Sequence, residues 1–499
     1  MVNDPAMAGL LRSCGLGSRA LNAVLCGVLY CVQTIYFIAI LPRSNFSSWV
    51  AYDFSLMQHV WLLNLAAAAI PAFFFKPNVR AAANLFAAIV MVLVYQPILV
   101  LAPSALGAEQ FALCLPPLVI SMAIIAAASS WSIAWSLPAG PRLFWGLLTV
   151  ATFLIVGALV VQALDSGLRL VSILNVAEAR AGLSVSRPAL YAIHIWTFAV
   201  GPLWITILLY RSKYWNLILV LLPFLLSYLI TFQVTTIYAP IWVLAAFFSG
   251  NFIHRYGVVG AVLFCSAPIM CLSLLPILAN IFGYADQRYL IDVYGAYFGF
   301  RLYGVHGQIF ANYVDFFSTH PHTWFSHVTG INKFVRYPYD VDLPVLIGMN
   351  YPGGNQNTNF WGQDAVAGAG LWAMPAVSLV FGGILLAVNT VCRGLAAPFV
   401  VGAISMAALR FADSTIPTSL VTGGLALLLV LLAFAPRGMF GEASWPRARS
   451  AGPGGLSTAQ PAQPYQNRAL ASVICTGFDG PLPIRFNIKS SSSGPSSMG

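Results

Sequence analysis

Charge is what this chain has least of. Asp, Glu, Lys and Arg together make up 8% of 499 residues, while 59% are hydrophobic and mean hydropathy is +0.81. No soluble core needs that balance, so a water-soluble globular protein is excluded and a polytopic membrane protein is indicated. Cysteine is the second scarcity. Eight are scattered along the chain and none falls between 284 and 367, which leaves no disulfide framework and no cysteine metal site in that stretch. Most of the eight sit in or beside apolar segments, as small core residues do. No internal repeat is visible, although secondary transporters usually carry one. An H-E-x-x-H zinc signature is missing too, and the first external loop holds Asp53 without a second acid to form a dyad.

A spanning helix needs roughly 20 apolar residues. On that measure the segments are 20–41, 56–75, 82–102, 111–136, 143–164, 190–210, 214–232, 236–253, 257–282, 368–388, 396–412 and 418–435, the seventh and eighth being short. The expected fold is all-α and polytopic, with about 12 transmembrane helices and a large extracytoplasmic loop before the last three. Residues 1–283 form a membrane domain of nine spans, 284–367 the loop, 368–435 the last three spans, and 436–499 a Pro-, Gly- and Ser-rich disordered tail. The first segment follows Arg12 and Arg19, lacks a clear cleavage site and reads as a retained anchor. The stretch 165–189 has apolar residues at helical spacing and reads as a helix lying along the membrane surface.

Basic residues set the orientation. With both termini cytoplasmic, the inner side carries 15 Lys+Arg and 3 acids, against 8 Lys+Arg and 11 acids outside. Such a bias places the 284–367 loop on the outer face. The net charge of +10 is then a topology signal, and nucleic acid is not an expected partner.

The loop differs in composition from everything around it. It holds His306, His320, His322 and His327, four of the seven histidines, together with six Asp and a polar-aromatic run from Tyr351 to Trp361. A short helix is expected over Gln308–Phe317, ended by His320-Pro321, since a residue before proline is pushed out of the α region. A second is expected over Thr323–Phe334. A loop this long in a compact protein is usually functional.

His320 and His322 are candidate catalytic residues, because imidazole gives and takes protons near neutral pH; an interfacial or capping pair without chemistry is the other reading. His327 lies seven residues on, but Pro321 interrupts the helix that would align it with His320. These three could bind zinc, although nothing in their spacing asks for it, and no metal or cofactor is expected. Arg288, Arg301 and Arg336 carry a planar, always-charged group suited to gripping phosphate, or else pair with nearby Asp. Arg410 stands within an apolar segment, with Asp413 three residues on. An ionisable residue there marks a functional site by default, unless the two form a structural i,i+3 pair. Asn355, Asn357 and Asn359 can donate to and accept from sugar hydroxyls, and Trp324 and Trp361 offer flat faces for sugar rings. An Asn-rich turn beside an interfacial Trp is the alternative for that run.

The order His-Pro-His-Thr-Trp-Phe-Ser-His (320–327), Arg-Tyr-Pro-Tyr (336–339), Ile-Gly-Met-Asn-Tyr (347–351) and Asn-Gln-Asn-Thr-Asn-Phe-Trp-Gly-Gln-Asp-Ala-Val-Ala-Gly-Ala-Gly (355–370) resembles bacterial oligosaccharide repeat-unit polymerases of O-antigen and exopolysaccharide pathways. Members often read Ala-Asn-Ala-Asn and Ala-Asp where this chain has Asn-Gln-Asn-Thr-Asn and Gln-Asp364. The resemblance implies a multi-pass protein of the bacterial inner membrane, working at its periplasmic face. It also implies a metal-independent glycosyltransferase acting on polyprenyl-pyrophosphate-linked glycans, with a chain-length regulator and a flippase as partners. Arg410, Arg301 and Arg336 would hold the leaving pyrophosphate and His320 or His322 would act as base. A lipid-linked sugar transporter or flippase is the alternative of a different class, and a related glycan ligase a third.

Overall fold

The computed structural model describes residues 18–40, 54–76, 79–135, 140–168, 183, 185–281, 299–352 and 354–441. Among them no strand forms; one isolated antiparallel bridge joins Leu395 to Gly441. The helices are α1 (Ser18–Ile40), α2 (Phe54–Ala69), α3 (Asn84–Leu106), α4 (Ala108–Ala128), α5 (Pro141–Ser166), α6 (Arg187–Tyr210), α7 (Leu217–Thr231), α8 (Val234–Tyr256), α9 (Val258–Ile281), α10 (Val305–Thr319), α11 (Leu343–Asn350), α12 (Ala373–Cys392), α13 (Ala397–Arg410), α14 (Ile416–Leu420) and α15 (Leu425–Phe434). Among the described residues eight helices are long and apolar enough to cross a membrane: α1, α3 to α6, α7 together with the 3₁₀ turn before it (Tyr214–Thr231), α8 and α12. Four further apolar helical stretches lie in the other segments expected from sequence: Val60–Phe74, within α2 and the 3₁₀ turn that follows it, Val258–Leu272, within α9, and the helices α13 and α15. Leu154, Val161 and Leu164 on α5 and Phe248 on α8 are exposed, as side chains facing lipid are. The chain is an all-α membrane protein.

Two prolines in α3 leave carbonyls that α1 and α2 satisfy. Pro103 lies inside α3 and has no N–H, so the carbonyl of Leu99, four residues earlier, has no helical partner. The Nδ2 of Asn64 on α2 donates to that carbonyl at 2.9 Å. A π turn at Val90–Tyr95 shifts hydrogen bonding to i→i−5, as the N–H of Gln96 onto Met91 shows. In that register the Val92 carbonyl faces Pro97, which again cannot donate, and Gln33 Nε2 on α1 fills the gap at 3.0 Å. Gln33 also donates to Gln96 Oε1 at 3.2 Å, and Gln96 Nε2 returns to the Cys26 carbonyl at 3.0 Å. Where no water competes, an unmet carbonyl is costly, so these amides fix the register of α1, α2 and α3.

The segment expected as an external loop is partly inside this bundle. From Phe300 a π turn leads into α10, most of whose residues are buried. Gly307 lies so close to the Pro97 carbonyl that a β-carbon would collide with it, which is why α10 can seat against α3. The Tyr303 hydroxyl sits between an i,i+4 pair of α9, accepting from the Ile269 N–H at 3.1 Å and donating to the Cys265 carbonyl at 3.0 Å. Helix α10 ends at Thr319 with His320 extended, as Pro321 requires. The second loop helix expected over Thr323–Phe334 does not form. That stretch is a series of tight turns with one 3₁₀ turn at Ile331–Lys333; its first two N–H groups, of Thr323 and Trp324, bond Ala367 and Gly368, and most of the rest close local turns.

The first residues of the tail expected from 436 are ordered. Arg437–Phe440 is a helical turn, and Phe440 is fully buried and stacked on Phe399 at 4.4 Å. Arg437 caps two helices, its Nη1 donating to Ala433 and its Nη2 to Val391 at 3.0 Å. The expected surface helix at 165–189 lies largely, and the rest of the tail wholly, outside the described residues.

Candidate functional site

Two backbone bonds, Thr323 N–H to Ala367 and Trp324 N–H to Gly368, both 2.8 Å, pin the turn after α10 to the end of a π turn at Trp361–Val366. Trp324 and Phe325 follow with φ of 50° and 63°, a region that costs L residues of order 1–3 kcal/mol each and tends to accompany function. Phe325 packs against Gly368, where any β-carbon would press into its ring. This turn, the start of α11 and the run 355–363 enclose a cavity of about 420 Å³, a size that suits a small ligand.

The cavity wall is polar. Asn332, Asn355, Asn357 and Gln363 contribute amides, Asp342 a carboxylate and His327 an imidazole. The run 355–358 alternates: Asn355 and Asn357 are exposed to the cavity, whereas Gln356 and Thr358 are buried. Gln356 is held by Asn312 Nδ2 at 2.7 Å and donates to the Pro352 carbonyl at 2.8 Å, which fixes the outward direction of its neighbours. Asp342 precedes α11 but its side chain makes no capping bond to that helix. Tyr337 donates to the Val341 carbonyl at 3.0 Å. Its phenol is pushed up to about 12 by burial, then by the charges of Asp342 and Tyr339, and stays protonated at neutral pH.

Beneath the cavity lies an arrangement that the sequence did not single out. His327 Nδ1 is 2.7 Å from the Thr323 hydroxyl, which donates to the Ala367 carbonyl at 3.0 Å. The hydroxyl has one hydrogen to give, and when it goes to Ala367 the ring proton sits on Nδ1 and the lone pair on Nε2. Nε2 faces Asp364 Oδ1 at 3.6 Å, and neither atom has another hydrogen-bond partner. Oδ2 of Asp364 accepts from the Ile416 N–H at 2.7 Å. A proton captured at Nε2 would be held against a buried carboxylate that α14 keeps in place.

The expected catalytic pair is elsewhere. His320 stacks on Phe316 at 3.9 Å, with Nδ1 2.9 Å from the Phe316 carbonyl, and His322 stacks on Phe317 at 5.7 Å with its Nδ1 buried and unpartnered. Neither lines the cavity. Of the expected sugar contacts, Asn355 and Asn357 do line it, whereas Asn359 and Trp361 are fully buried and do structural work. Asn359 Oδ1 accepts from the N–H groups of Trp361 and Gly362 at 2.9 and 3.3 Å, an N-cap, and Trp361 Nε1 donates to Ser378 at 2.8 Å. An Asn just before a helical turn is the sequence signal that could have announced that cap. Trp324 is exposed and free of such duties. Arg336 is exposed and lies off the cavity, Arg301 lines a smaller one of about 50 Å³ with Asn355, and Arg288 lies outside the described residues.

Arg410 ends α13, where Nη1 reaches Asp413 Oδ1 at 3.3 Å and the guanidinium lies over Phe198 at 5.0 Å. His194 also stacks on Phe198, at 6.1 Å. Arg410 Nε and the Nδ1 atoms of His194 and His306 are buried without partners. Burial lowers the pKa of His306, and the nearby charge of Asp413 partly offsets this. Three residues beyond Asp413, Ile416 bonds Asp364, so this basic cluster and the His327 site share one short connection. No group of three His, Cys, Asp or Glu with metal-binding geometry occurs among the described residues. Comparison with protein families, curated proteins and solved structures finds no match to this chain.

Proposed function

We propose that this protein is a membrane-embedded glycosyltransferase that joins polyprenyl-pyrophosphate-linked oligosaccharide repeat units into a surface polysaccharide at the periplasmic face of a bacterial inner membrane. The observation that carries the reading is that a polar, amide-lined cavity and a partly buried arginine sit at either end of the Asp364–Ile416 link. Such a reaction moves the anomeric carbon of one glycan from pyrophosphate to a hydroxyl of another. The C–O bond to phosphate breaks with its electrons going to pyrophosphate, a new C–O bond forms, and the acceptor hydroxyl loses its proton.

Arg410 supplies positive charge for the leaving pyrophosphate, and Nε, unpartnered and buried, is a donor left over for it. His327 is the base in this reading, ahead of His320 and His322, because it lines the cavity and its Nε2 faces the Asp364 carboxylate at 3.6 Å. Nε2 is closed off from the cavity, so the strained Trp324–Phe325 turn must shift for the proton to reach it.

The test is polymer formation in membranes carrying each variant at matched protein levels. Arg410→Ala is expected to abolish polymer while single lipid-linked units accumulate. Arg410→Lys should restore little, since an ammonium cannot reproduce the planar fork. Wild-type chain lengths in Arg410→Ala would sink the assignment.

A further inference from the structure

The 420 Å³ cavity carries a charge pattern that narrows what it can hold. No Lys or Arg is among its lining residues, although Lys333 and Arg336 lie close by in sequence; both are exposed and off the wall. Its one carboxylate, Asp342, is not used to cap α11 and makes Tyr337 harder to ionise. Four amides surround it, and the two on the 355–357 run are held outward by the bonds that bury Gln356. Amides both donate and accept, and a carboxylate accepts from two adjacent hydroxyls at once. A second carboxylate placed among these groups would meet Asp342 with no Lys or Arg on the wall to balance it, and uncompensated like charges at close range are unfavourable.

We propose that this cavity is the subsite for a neutral sugar unit, a hexose or N-acetylhexosamine whose hydroxyl and acetamido groups are read by Asn355, Asn357, Gln363 and Asp342, and that it rejects uronic acids. The proposal rests on the glycosyltransferase reading for its place in a reaction and adds the class of sugar that the acceptor or donor end must present. Asp342 is the discriminating group: it recognises a pair of hydroxyls and repels a uronate through the same two oxygens.

The full-length protein in nanodiscs is screened on a glycan array holding neutral and uronate-bearing oligosaccharides, and hits are titrated by thermophoresis. Neutral glycans are expected to bind and their uronate counterparts to bind at least about tenfold more weakly, a difference of about 1.4 kcal/mol. The Asn355→Ala/Asn357→Ala variant should lose neutral binding about tenfold or more; both positions are exposed, so the fold should tolerate it. Asp342→Arg should raise uronate binding relative to neutral binding, and α11 should survive because it does not depend on that side chain as a cap. Equal or stronger binding of uronates, absence of binding to any glycan, or neutral binding unmoved in the double Asn variant would each overturn the proposal. Because the readout is binding, it separates from the parent reading. Neutral binding without transfer would sink the polymerase and leave the subsite standing, whereas polymer formation without array binding would do the reverse.

Discussion

His327 has each ring nitrogen turned to a different partner, Thr323 on one side and Asp364 on the other, and this distinguishes it from the two stacked histidines. A base contributes typically 10²–10⁴-fold to rate, so His327→Ala should cut polymer formation by that order. His320→Ala should lower it only modestly, because an exposed ring stacked on Phe316 is removed and the cavity is untouched. Normal polymer in His327→Ala, measured at equal protein level, would return the base to His320 or His322. His306 makes a separate prediction. Its folded-state pKa is depressed below 6.5 by burial, so as pH falls the unfolded chain takes up the proton more readily than the folded one. The stability it contributes is present above pH 6.5 and lost as pH falls. Melting in detergent should therefore weaken between pH 7 and pH 5.5, and His306→Asn should flatten that slope. An unchanged slope in the variant would show that another group sets it.

At the scale of elements, the pairing of prolines with amides can be tested by a double substitution. Asn64→Leu strands the Leu99 carbonyl and should cost about 1–3 kcal/mol. In a Pro103→Ala background the helix supplies its own N–H to Leu99, so the same Asn64→Leu change should cost much less; equal costs in both backgrounds would refute the compensation. The helices themselves were legible, because a run of apolar residues long enough to cross lipid has few other uses. Lengths were less so: α15 begins only after Gly424, whose φ of 74° is left-handed, so the segment expected from 418 is broken at a glycine that composition alone does not place. The site was legible in part. The alternation of Asn355 and Asn357 with buried neighbours follows a period of two, but Asn359 continues the same pattern and caps a helix instead. Residue type could not separate those roles, since an amide serves sugar and backbone N–H equally well. His327 and Asp364 stand 37 positions apart, and contacts invisible in the sequence bring them together: the bonds from Thr323 and Trp324 to Ala367 and Gly368, and Phe325 packed on Gly368.

For the whole molecule, the basic-residue bias predicts which side of the membrane each end of the bundle occupies. Lys333→Cys, at an exposed position of the cavity rim segment, should react with an impermeant thiol reagent from the periplasmic side, and Lys213→Cys, in the α6–α7 connection, only after the inner side is opened. Labelling in the opposite sense would invert the topology and remove the cavity from the compartment where the proposed reaction occurs.

The seat of α10 against α3 at Gly307 and Pro97 has a bearing on how the protein is made. Its two faces come from parts of the chain roughly 200 residues apart. At typical synthesis speeds of about 5–20 residues per second, α3 must wait on the order of 10–40 s for the helix that covers it. During that interval its flank, with the proline-opened turn, meets lipid or another membrane protein in place of α10. Newly made chains should therefore be most vulnerable to degradation before α10 emerges, and a ribosome stalled between the two helices would leave a nascent chain that the cell must either hold or destroy.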